Sequence, residues 1–196
     1  MNARIDRVGA PIDAARPGTT DSEDREMIAR IALGDRAAFA AFYQCFQPRL
    51  RGFLRRLTYR ADLIEDIIND TMFAVWQQAA TFRCQSLVST WLLGIAYRCG
   101  CRSLRAHTQG GRTFDNISHI DPGVADGPLH DVETDDWLSK ALAALPVKQR
   151  TVMVLTYYSG HSCAEIAELM QCSVNTVKTR MFHARRKLRA SSNALA

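Results

Sequence analysis

The stretch Gly160–Leu188, GHSCAEIAELMQCSVNTVKTRMFHARRKL, leaves few folds open to this chain. Ser162 and Glu165 have the spacing of a capping box, in which hydroxyl and carboxylate each satisfy an orphan amide of a first helical turn. Ile166, Leu169 and Met170 then give a short helix one apolar side. Gln171, Cys172 and Ser173 interrupt the pattern, and Ser173 is a ready N-cap for a second helix. Val174, Val177, Met181, Ala184 and Leu188 recur at alternating steps of three and four, which predicts one buried stripe. Asn175, Thr176, Thr179, His183 and Arg186 point away from it, with Lys178, Arg180 and Arg185 on the flanks. From Lys178 to Arg189 there are six Lys or Arg and no acid. A short helix, a tight turn and a longer basic helix make the helix-turn-helix plan, whose second helix enters the major groove of DNA. The competing reading is a basic amphipathic helix that packs on its own domain and solvates its charges. Capping box, turn length and basic run together favour DNA.

At 196 residues the chain has room for one large or two small domains. Nothing approaches the ~18 consecutive apolar residues of a membrane span. The first residues lack the apolar core of a secretory signal, so a cytoplasmic protein is expected. A net charge of +5 favours a polyanionic partner. The six cysteines (Cys45, Cys84, Cys99, Cys101, Cys163, Cys172) form no C-x-x-C pair, and nothing completes a ligand set around His161 and Cys163. Buried, reduced thiols are the expectation, with no metal and no cofactor.

Residues 1–20 show no periodicity and read as a disordered tail. Helical pattern begins near Ser22 and stops at Gly34. Asp35 caps a helix with Phe39, Phe42, Tyr43 and Phe46 on its apolar side, and Pro48 is expected to restart or bend it. From Arg36 to Arg60 every charged residue is arginine. Asp62 opens the most amphipathic helix, through about Ala80, with Ile64, Ile67, Ile68, Thr71 and Val75 buried. Asp62, Glu65, Asp66, Asn69 and Phe73 line its other side, which is either solvated or a dock for a basic partner. After a loop from Thr81 to Ser86, Ser89 or Thr90 caps a helix to about Ala106. Trp91, Ile95, Arg98, Arg102 and Arg105 share one of its faces. That face suits a nucleic-acid track, or equally a core stripe with snorkelling arginines.

His107–Asp136 carries seven acids against one arginine, with Gly-Gly, Pro-Gly and Gly-Pro pairs, and reads as a flexible linker that cannot bind DNA. Beyond it, Thr134 or Asp135 caps a helix to Leu145, and Pro146 opens another that Gly160 ends. There is no strand signal. The expected fold is all-α, with two small helical domains (21–107 and 134–190) joined by an acidic linker (108–133), and a short tail at 191–196.

With these residues assembled, the sequence resembles the sigma-70 family of bacterial transcription initiation factors, in particular the small extracytoplasmic-function type. LPVKQRTVMVLTYYSGHSCAEIAELMQCSVNTVKTRMFHARRKLR is similar to the family's region 4. AFAAFYQCFQPRLRGFLRRL, EDIINDTMFAVW and STWLLGIA are similar to region 2. The resemblance implies that core RNA polymerase docks on Asp62, Glu65, Asp66, Asn69, Asp70 and Phe73. It implies that the −10 element is melted, and a flipped base held, by Phe82, Arg83, Gln85, Ser86, Trp91, Arg98, Arg102 and Arg105. It places the −35 element on Ser173, Asn175, Thr176, Lys178, Thr179, Arg180, Arg185 and Arg186. It also implies an anti-sigma factor as partner. The sequence departs from the family pattern at several places. Asn69 and Asp70 stand where Gln and Glu are common, Met72 where Phe is, and Gly94 where arginine is. Arg98 replaces a common asparagine, His161 an apolar residue and His183 an arginine.

The expected function is an alternative sigma factor without catalytic residues, since the phosphodiester chemistry belongs to the polymerase. The rival from the same motif is a helix-turn-helix repressor or activator with a helical sensor domain, binding duplex DNA as a dimer. The first domain shows no dimer heptad or effector pocket to support that. A cysteine- or metal-dependent enzyme has only scattered Cys and His in its favour, and loss of activity on chelation would mark it.

Overall fold

Leu33, Gly34 and Asp35 show how this chain turns corners. Gly34 has φ +84°, in the left-handed region, and its amide and that of Asp35 return to the carbonyls of Ile31 and Arg30. That is a Schellman closure, for which a residue without Cβ is best suited. Asp35 then accepts from the amides of Ala37 and Ala38, so one short segment ends α1 (Asp21–Ala32) and starts α2 (Arg36–Leu57). The computed structural model describes residues 20–58, 60–106 and 140–193. The expected tail up to residue 19, the linker 108–133 and the helix start at Thr134 or Asp135 lie outside the described residues.

After α2 come α3 (Ala61–Gln78), a 3-10 turn (Ala79–Thr81) and α4 (Val88–Ala106), then helical residues 140–143, α5 (Val147–Tyr157), α6 (Cys163–Leu169) and α7 (Val174–Asn193). No strand occurs among the described residues, and the all-α expectation holds. Phe42, Phe46, Leu50 and Phe53 of α2 share a core with Ile64, Ile67, Ile68 and Val75 of α3 and Leu92 and Ala96 of α4. Burying a side chain of this size is worth ~1.5–3 kcal/mol, and the predicted isoleucine stripe is buried in full. Thr71 joins that stripe because its hydroxyl donates to the Ile67 carbonyl at 2.6 Å. In the second half, Val152 and Leu155 of α5, Ile166 of α6 and Val177 and Ala184 of α7 are buried, and they belong to the same continuous cluster.

Several local expectations are corrected. Pro48 does not restart the helix, since α2 runs through it for 22 residues. Pro48 is exposed, so its ring and the carbonyl it leaves unpaired can face water, which reduces the cost. Ser89 and Thr90 do not cap α4 but are buried inside its first turn. The amide of Val88 is met instead by the Asp21 carboxylate of α1, at 3.3 Å. Pro146 is the N-cap residue of α5 and not its first helical residue. Val174 is exposed and drops out of the predicted stripe, while α7 continues through Asn193, into the expected tail.

Candidate functional site

The helix-turn-helix is closed by hydrogen bonds that its sequence dictates. Ser162 Oγ accepts from the Glu165 amide at 3.3 Å and the Glu165 carboxylate accepts from the Ser162 amide at 2.8 Å. That carboxylate is held below its ordinary range, first by the backbone amide of Ser162 and then by its hydroxyl. α6 ends in a second Schellman closure, with the amides of Gln171 and Cys172 on the carbonyls of Glu168 and Ala167. Gln171 takes the left-handed conformation, φ +51°, that this turn requires. Ser173 Oγ accepts from the Thr176 amide at 3.1 Å and starts α7.

On α7, Val177, Met181 and Ala184 are buried. Asn175, Lys178, Thr179 and Arg186 are exposed along the opposite side. Other expected readers are partly engaged. Ser173 serves as the cap, and Thr179 Oγ1 donates to the Asn175 carbonyl. Arg180 donates to Cys172 Sγ, and Arg185 to the Tyr157 hydroxyl at 2.5 and 2.9 Å. Phe182, 62 % exposed, lies among Asn175, Lys178, Thr179 and Arg186 at 100° per residue. Its edge meets His183, with ring centroids 5.5 Å apart. Phe182 is not among the residues expected from sequence to face the −35 element. Its helical angle, central to the polar face and opposite the buried stripe, is the signal that could have found it.

On α3, Asp62, Glu65, Asp66, Asn69, Asp70 and Phe73 are all exposed, Phe73 to 61 %. The carboxylates are largely matched from within. Asp62 pairs with Arg60, Glu65 with Arg51 of α2, and Asp70 with Arg102 of α4 at 3.2 Å. Asn69 accepts from the Tyr43 hydroxyl at 3.2 Å. The face is therefore an aromatic side chain set in a rim of exposed ion pairs, each worth ~0–1 kcal/mol and open to exchange with a partner.

The third face lies at the start of α4. Phe82 and Trp91 are half-buried and packed on each other, ring centroids 5.0 Å apart, while Arg83 and Gln85 are exposed and Ser86 half-buried. Cys84 between them has φ +55°, a strained conformation for a residue with a Cβ. Ile95 is core, whereas Arg98, Arg102 and Arg105 are exposed, so the expected stripe divides into a packed end and a basic end. Cys84 also departs from the expectation of buried thiols, being exposed; Cys99 alone is fully buried. Burial raises the Cys99 and Cys101 thiols, which keeps them protonated and unreactive. Among the described residues no three His, Cys, Asp or Glu side chains gather as a metal site, and no helix is long and apolar enough to cross a membrane.

Residues 42–109 match the family model for Sigma-70 region 2, and residues 135–188 that for Sigma-70, region 4. The ECF RNA polymerase sigma-E factor of Haemophilus influenzae is 30% identical over 178 residues, covering 83% of this chain and 91% of that protein. The chain belongs to the sigma-70 family. It is an alternative sigma factor of the extracytoplasmic-function type, which directs RNA polymerase in promoter recognition. The RNA polymerase sigma-H factor of Pseudomonas aeruginosa is 27% identical, over 85% of this sigma factor and 92% of its own length. The solved structure of the sigma factor RpoE from Bartonella quintana, in complex with the anti-sigma factor NepR, superposes with a TM-score of 0.63 at 28% identity. It covers 78% of this sigma factor and 97% of that chain. The region 2 match contains the α3 and α4 faces, and the region 4 match contains α6 and the exposed side of α7 through Leu188.

Proposed function

We propose that this sigma factor divides its work among the three faces. Core polymerase docks on α3, with Phe73 as the apolar anchor and Asp62, Glu65, Asp66, Asn69 and Asp70 as the rim, an arrangement in which a desolvated aromatic carries affinity and charges set register. Phe82, Arg83, Gln85, Ser86 and Trp91, with Arg98, Arg102 and Arg105, receive the melted −10 strand; stacking and phosphate contact hold single strands without any covalent step. Ser173, Asn175, Thr176, Lys178, Thr179, Arg180, Arg185 and Arg186 take the −35 duplex, with Phe182 among them. The protein acts in the cytoplasm and is not itself an enzyme. By likeness to the Bartonella quintana complex, an anti-sigma factor holds it in check.

The observation that carries this reading is that one chain, matching both regions, presents an exposed aromatic-and-carboxylate face on α3 and an exposed basic face on α7. Run-off transcription on genomic fragments tests it, with core polymerase alone and with the protein added. New promoter-specific transcripts are expected only with both. Duplex binding by the protein with no effect on core polymerase would instead identify a simple repressor or activator.

A further inference from the structure

Tyr157 closes α5, and Arg185 stands on α7, 28 residues further along the chain, yet the two side chains are joined. Nε and Nη2 of Arg185 both donate to the Tyr157 hydroxyl, at 2.9 and 2.5 Å. The guanidinium carbon lies 5.6 Å from the ring centroid, well beyond the 3.7 Å at which Arg56 stacks on Tyr158. Arg185 therefore meets the hydroxyl end of the Tyr157 ring and not its face. The ring is half-buried and packed against the core, which fixes the place of that hydroxyl. A phenolic oxygen that accepts two N–H groups must turn its own proton away from them. The contact thus leaves the phenolic O–H and Nη1 of the exposed Arg185 as donors beside one positive charge. No acid lies between Lys178 and Arg189 on α7 to neutralise that charge.

Lys178, exposed on α7, shares the helical angle of Arg185 to within ~20°, whereas Phe182 and Asn175 lie roughly 60–80° round the helix. Arg185 therefore stands at the edge of the reading face, where a duplex offers its backbone and not its base edges. Donors without an acceptor, set beside a positive charge, fit a phosphate oxygen. We propose that Tyr157 and Arg185 form one phosphate clamp for the −35 duplex, in which Tyr157 positions the guanidinium and donates its own proton to the same phosphate. This rests on the −35 reading of α7 and adds to it a residue of α5, outside the helix-turn-helix. Because the packed ring holds the guanidinium beforehand, DNA binding does not have to order a long side chain at the moment of contact. The clamp supplies affinity and register but no sequence preference.

The test uses holoenzyme assembled with core polymerase and a duplex carrying the −35 element mapped by run-off transcription. Each phosphate of that element is replaced in turn by an uncharged methylphosphonate. Wild type should lose affinity at several linkages, one of them through the clamp. Tyr157→Phe keeps the ring and removes one oxygen, so helicity and melting temperature should match wild type. It should bind matched and mismatched duplexes alike on the order of 5-fold more weakly, and should no longer respond at that one linkage. Arg185→Ala should fall silent at the same linkage, and the two losses should not multiply in the double variant. Losses that multiply, a methylphosphonate pattern of Tyr157→Phe identical to wild type, or different linkages silenced by the two substitutions overturn the clamp. If no promoter-specific transcript appears, the −35 reading fails instead, and binding of the protein alone to a random-sequence duplex decides the clamp. Arg185→Ala should there flatten the log–log salt dependence by about 0.9, with Tyr157→Phe adding no further loss. A salt dependence unchanged by Arg185→Ala overturns it.

Discussion

Arg51 of α2 and Glu65 of α3 form a two-pronged ion pair, Nη2 to Oε2 at 3.0 Å, in the middle of the face assigned to core polymerase. Both side chains are partly exposed, so the pair adds at most ~1 kcal/mol to the fold. Its larger consequence is that Glu65 is held in place before any partner arrives.

Reversing Glu65 and Asp66 together, Glu65→Lys with Asp66→Lys, removes attraction and adds repulsion beside Arg51. Helicity should be unchanged and stability lowered by no more than ~1 kcal/mol. Core polymerase binding at moderate salt should fall tenfold or more, because rim charges compound when several face a basic surface. Equal affinity of the two proteins would remove α3 as the dock.

Asn175 and Arg186 should separate sequence reading from phosphate contact. Asn175→Ala is expected to relax preference at one base pair by ~1–3 kcal/mol, and Arg186→Ala to weaken all sequences alike and flatten the salt dependence. Titrating matched and mismatched −35 duplexes at two salt concentrations decides it. A uniform loss from both substitutions would show that the reader is misassigned.

Phe182 offers an apolar surface where a thymine methyl could sit. Replacing single thymines by uracil in the −35 duplex should cost wild type ~0.8 kcal/mol at one position, the worth of one buried methyl group. Phe182→Ala should lose that sensitivity. If no position distinguishes thymine from uracil, Phe182 is not a base reader.

Alanine at Arg98, Arg102 and Arg105 together should reduce permanganate reactivity of −10 thymines on duplex templates and leave −35 binding intact. A pre-melted bubble should rescue the variant. Normal opening on duplex DNA would count against this face.

The capping box of α6 makes a pH prediction. Glu165 has a folded-state value below its ordinary 4.5. Its contribution is therefore complete above that value and lost as pH falls through the lower, folded one. Glu165→Gln should melt earlier than wild type at pH 7, and the gap should close as pH drops below about 4.5. A gap independent of pH would mean that the carboxylate's charge is not what stabilises the turn.

Much of this was legible because it is local. Asp35, Ser162, Glu165 and Ser173 cap helices through neighbours no more than three residues away, and the Ile64–Val75 stripe follows from helical period alone. The α3 face was legible as acidic and exposed, but its pairing with Arg51 and Arg102 was not, since those partners lie 14 and 32 residues distant. Trp91 and the arginines of α4 share a helical angle, yet Trp91 meets Phe82 from the preceding loop. Pro48 does not restart the helix because a break signal has less force at an exposed helical position. The contacts between halves, such as Thr90 with His161, span 71 residues and leave no periodic trace.

Asp21 gives the first amide of α4 its partner across 67 residues, yet it precedes the family-matched segment that opens at residue 42. Proteolysis just ahead of Arg36 would leave both matched segments whole while removing that partner. The frayed first turn would then sit next to Trp91 and the strained loop around Cys84. Changes confined to α1 therefore reach the first turn of α4 without altering any residue of the face proposed for the −10 strand.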